Sequence, residues 1–111
     1  MAFFKSFRDQ LKVNALMSHL EFARDRFPHD QQLGLNHLAA ALKALVEIKS
    51  SESERALTFS GWKHVVTLST TVSIMVKTRN LHSAGKDCEF ITEHALKWRD
   101  EAFAREDESG D

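Results

Sequence analysis

Apolar side chains recur along most of this chain at alternating steps of three and four residues, a rhythm that suits helices burying one face. Val13, Leu16, Leu20, Ala23 and Phe27 make the first stripe. Pro28 stops that helix, because the residue before a proline is driven out of the helical region. Asp30 is placed to cap a second helix, whose stripe is Leu35, Leu38, Leu42 and Leu45. Ala39, Ala40, Ala41 and Ala44 widen it with side chains small enough for a close helix approach. Ser51 and Glu54 have the spacing of a capping box, serine at the cap and glutamate three residues on. A last helix, from about Lys86, carries Cys88, Ile91, Ala95, Trp98 and Ala102 on one face.

Residues 62–78 read two ways. They are rich in β-branched side chains, and Val66, Leu68, Val72, Ile74 and Val76 alternate as in a strand. On a helical wheel, however, Leu57, Trp62, Val65, Val66, Leu68, Val72, Met75 and Val76 share about half the circumference. A hairpin would have to turn at Ser69-Thr70-Thr71, which lacks the Gly or Asn that tight turns favour. An unbroken strand would be about three times the usual length. Helix is the better reading, with Gly61 as a break from a shorter helical piece at residues 52–59. The expected fold is therefore all-α: an antiparallel, up-down-up-down four-helix bundle whose third helix breaks near Gly61.

A chain of 111 residues is one domain, large enough for a core without disulfides or a structural metal. Of its 16 acidic residues four fall in residues 106–111, leaving 12 against 15 Lys and Arg in residues 1–105. That C-terminal stretch has almost nothing to bury and is expected to be a disordered acidic tail. So even a balance gives no electrostatic footprint for nucleic acid, which is not expected as a partner. Cys88 is the only cysteine, and nothing at the N-terminus resembles a signal peptide, so a cytoplasmic location is expected. No apolar run approaches the roughly 20 residues that span a bilayer.

Catalytic chemistry lacks its usual residue patterns. His19, His29, His37, His64, His82 and His94 include no two that are three or four residues apart, the spacing at which one helix face presents a pair of metal ligands. Asp25 is in register with His29, but Pro28 interrupts the helix between them. No metal site, no cofactor and no catalytic residue is expected. Cys88 lies on an apolar stripe, where a thiol is an inert small hydrophobe. There is no Gly-x-Ser-x-Gly elbow, no phosphate loop and no tyrosine.

Two short motifs resemble known families. His94-Ala95-Leu96-Lys97 is similar to the His-x-Leu-Lys core of histidine phosphotransfer domains, which are four-helix bundles. The resemblance implies a phosphate relay through an exposed His94. In that family a Gly follows the Lys and leaves room for the partner, whereas Trp98 stands there in this chain. Arg24-Asp25-Arg26-Phe27-Pro28-His29 resembles the Arg-(Asn/Asp)-x-x-x-His signature of HEPN-type helical ribonucleases. It implies RNA cleavage by Arg24 and His29 brought together from two chains. Here the motif sits between the first two helices, with Pro28 inside it.

Apolar surface is the more telling signal. Phe4, Phe7, Leu11 and Phe22 lie well over 100° from the first stripe, and Phe3 adds to them. Such a patch is rare on soluble monomers. Either the N-terminus bends back over its own bundle, with a kink near Asn14, or it docks on a second copy or another protein. A membrane-surface anchor, with Lys5, Arg8 and Lys12 among the Phe, is short and is not favoured. From His64 to Val76 the third helix has no charged residue, and Thr67, Thr70, Thr71 and Ile74 stand where a solvated face would be charged. The expected interface is Phe3, Phe4, Phe7 and Leu11 with Thr67, Thr70, Thr71 and Ile74, in a non-enzymatic homodimer.

Overall fold

A computed structural model describes residues 2–109, and side chains for residues 5–107. The chain is α1 (Ala2–Arg26), α2 (Gln31–Ser50), a 3-10 turn (Glu54–Ala56), α3 (Phe59–Thr78) and α4 (His82–Ser109), with no strand among the described residues. Residues 62–78 are helical. Their hydroxyls make this possible without loss: Ser69, fully buried, bonds Thr92 of α4 at 2.8 Å, and Thr92 donates to its own helix at Cys88 O.

The stripes expected on α1 and α4 are buried along their whole length, whereas Leu35 and Leu42 of the α2 stripe are only half-buried. Val13, Leu16, Leu20, Ala23 and Phe27 face inward from α1, and Cys88, Ile91, Ala95, Trp98 and Ala102 from α4. Leu38, Ala41, Ala44, Leu45 and Ile48 meet them from α2, and Trp62, Val65, Leu68, Val72 and Val76 from α3. Each buried Leu or Val contributes on the order of 1.5–3 kcal/mol. Trp62 and Trp98 stack at 5.0 Å in this core, and the Trp62 indole N–H donates to Glu54 O at 3.0 Å.

Helix ends differ in part from the capping pattern. Asp30 caps α2 as expected, accepting from Leu33 N–H at 3.1 Å. Ser51 does not cap a following helix: its hydroxyl donates to Glu47 O at 2.6 Å and closes α2 from behind. The break before α3 falls at Leu57-Thr58, not at Gly61, which lies in the first turn. Thr58 supplies the cap by accepting from Gly61 N–H. A Cβ there would come within 2.4 Å of the Leu57 side chain, which would have to turn aside.

Two helical hairpins, α1–α2 and α3–α4, make the body, and they join where α1 packs on α3 and α2 on α4. Arg79, just past α3, stacks on the ring of Phe27, just past α1, at 4.6 Å and reaches Gln31 at the start of α2. Leu81 and Ala84 line a cleft with Leu35 and Leu38 near the start of α2. Chain direction thus alternates from helix to helix, while the helices meeting across the seam run the same way. Helix α4 continues through Ser109, so the acidic stretch begins inside a helix; Glu106 accepts from Phe59 N–H and Arg105 donates to Leu57 O. No described helix is long and apolar enough to cross a membrane.

Candidate functional site

The side chains expected at an interface stand on two outer faces. On α1, Phe7 is 57% and Leu11 52% exposed, and Phe22 farther along is 44% exposed. At 100° per residue these three fall within about 60° of one another, on the side away from the stripe that enters the core. Helix α1 runs unbroken through Asn14, so these positions do not fold back onto the bundle. The side chains of Phe3 and Phe4 lie outside the described residues. On α3, Thr67 and Thr70 are exposed, Thr71 is half-buried and Ile74 is 63% exposed. Thr67 and Thr71 donate to Lys63 O and Thr67 O one turn back, and Thr78 to Ile74 O. Each of these three hydroxyls spends its proton on its own helix and keeps only acceptor lone pairs for solvent.

The histidines hold the arrangement that sequence reasoning missed. His19 of α1 and His37 of α2 meet across the hairpin, Nδ1 to Nδ1 at 3.1 Å, with ring centroids 5.4 Å apart. Phe22 covers one side, its ring 5.2 Å from that of His37. Burial, and then the neighbouring His37, hold His19 below the ordinary imidazole value, so its neutral form is favoured. One ring donates its Nδ1–H and the other accepts. Eighteen residues separate the two in sequence, so a search for ligands on a single helix has no means of pairing them.

His94 and the Arg24–His29 motif are placed differently. The Nδ1–H of His94 donates to Phe90 O at 3.0 Å, and the half-buried ring lies between Phe90 at 4.4 Å and Trp98 at 5.4 Å. Arg24 pairs with the adjacent Asp25 at 2.9 Å, which raises the guanidinium and lowers the carboxyl, while His29 stands exposed in the link to α2. His64 approaches Glu21 of α1 at 3.7 Å on an open surface. Burial pushes the Cys88 thiol up to about 12, so it stays protonated and unreactive.

Asp9 and the buried Ser53 form a structural tether. The Ser53 hydroxyl donates to Asp9 at 2.7 Å and meets Ser51 at 2.6 Å, and this bond holds the Asp9 carboxyl below its ordinary value. Among the described residues no three His, Cys, Asp or Glu side chains cluster around a common metal position. Comparison with models of known protein families, with curated proteins and with solved structures finds no significant match for this chain.

Proposed function

We propose that the protein is a small, non-enzymatic cytoplasmic module that works by association of its outer helix faces, first of all with a second copy of itself. The observation that carries this reading is the line of Phe7, Leu11 and Phe22 along the outside of α1. Three large apolar side chains on one narrow strip cost solvation free energy that a partner surface would recover. The Thr67, Thr70, Thr71 and Ile74 face of α3 is a second uncharged surface on the helix next to it. A two-fold pairing buries the same strip on both copies at once. A single cysteine leaves no intrachain disulfide to form, which suits a cytoplasmic setting. The relay and ribonuclease readings gain no support of this kind, since His94 is wedged between aromatic rings and Arg24 is held by Asp25.

Sedimentation equilibrium of the full chain is the test. A mass near twice 12.6 kDa at micromolar concentration is expected, from an interface burying at least about 1,000 Å² in total. A mass near 12.6 kDa throughout the series overturns self-association.

A further inference from the structure

From the His19–His37 contact we infer that the α1–α2 hairpin carries a two-imidazole binding site for a borderline-soft divalent metal ion such as Zn²⁺ or Ni²⁺. The two Nδ1 atoms lie 3.1 Å apart. Metal–nitrogen bonds of about 2.0–2.1 Å hold adjacent ligand nitrogens roughly 2.9–3.4 Å apart, between right-angled and tetrahedral geometry. The observed spacing falls inside that range, so modest ring rotations bring both lone pairs onto one ion while the helices stay in place. The ring that donates its Nδ1–H then takes the other neutral tautomer, its proton passing through solvent to Nε2, so both Nδ1 lone pairs face the ion and no net proton is lost.

Two features of the surroundings favour the ion. Both rings are part-buried and held on rigid helices, so little side-chain freedom is lost on binding. Phe22 packs beside His37 and limits water on that side. The site offers two protein nitrogens, and solvent completes the coordination sphere. Imidazole pairs suit Zn²⁺, Ni²⁺ and Cu²⁺, whereas Mg²⁺ and Ca²⁺ require oxygen ligands that this site does not present.

Titration of the full chain with ZnCl₂, followed by imidazole ¹⁵N spectra, tests the site directly. The Nδ1 resonances of His19 and His37 should move together and saturate at one ion per chain. Those of His29, His64, His82 and His94 should stay in place, and MgCl₂ should move none of the six. Loss of an outer-sphere partner alone typically weakens metal affinity 10–100-fold, so His37→Ala, which removes a ligand, should weaken binding by at least about tenfold. The same loss is expected for His19→Gln, which retains a polar group if the alanine variant does not fold. Binding spread evenly over the six histidines, no movement at His19 and His37, or undiminished affinity in a folded variant overturns the assignment.

Discussion

Glu52 occupies the left-handed region, φ 54°, at the end of α2, where the backbone reverses by bonding Ser53 N–H to Ile48 O and Glu52 N–H to Lys49 O. Asn80 does the same after α3, at φ 60°. Asparagine tolerates this region; glutamate carries a Cβ close to its own carbonyl there. Replacing Glu52 with Gly is therefore expected to stabilise the fold by about 1 kcal/mol, read as a higher midpoint in urea at unchanged slope. The histidine pair sets a second expectation at this scale. His19 is lowered when folded, so folding is favoured above the ordinary value of 6.5 and that advantage is lost as pH falls through the lower folded value. Thermal melts between pH 8 and pH 5 should show stability falling on the acid side, and His37→Gln should flatten the slope only in part, because burial of His19 is the larger cause. The carboxylates held down by partners, Asp9, Asp25 and Glu89, titrate below this window and leave it clear.

Between elements, α2 passes close to the end of α1. A Cβ on Gly34 would lie 2.6 Å from Phe27 Cα and 2.7 Å from its Cβ. Alanine is favoured over glycine by about 1 kcal/mol inside a helix, so local propensity alone says Gly34→Ala stabilises. The clash is with main chain, which cannot swing aside, and overpacking of this kind costs about 1–3 kcal/mol. The steric cost wins. Gly34→Ala is expected to lower stability by roughly 1 kcal/mol net, and chemical denaturation measures it. Gly61 is the contrasting case, since its neighbour is the flexible Leu57 side chain. Exposed ion pairs such as Lys77–Glu89 at 2.6 Å add little to either hairpin.

For the whole molecule the shape matters. It measures 46 × 27 × 20 Å with a radius of gyration of 14.3 Å, against roughly 13 Å for a compact domain of this length. An elongated body exposes long helix faces, and α1 presents its apolar strip along one of them. If that strip is the contact between copies, Phe7→Ala with Leu11→Ala should weaken the dimer by roughly thirtyfold or more, the loss of a single interface anchor of ~2 kcal/mol. Helicity should be unchanged, because neither side chain enters the core. Ile74→Asp separates the two faces: it dissociates the dimer only if α3 lies in the contact. Sedimentation series on both variants decide between them.

Spacing along a helix determines the angle at which each side chain leaves it, and that much is local. For this reason the stripes of α1 and α4 could be read residue by residue, and the position of Phe7, Leu11 and Ile74 off the buried side was equally plain. The helical state of residues 62–78 followed from the same periodicity despite their β-branched content. Local spacing has no term for the distance between two helices. The meeting of His19 with His37, the parallel seam between the hairpins and the anchoring of Glu106 on Phe59 arise only when the helices dock. Ser51 shows the same boundary in miniature. Its spacing to Glu54 permits a cap on a following helix, yet packing of Ser53 against Asp9 turns the chain first, and the hydroxyl closes α2 instead.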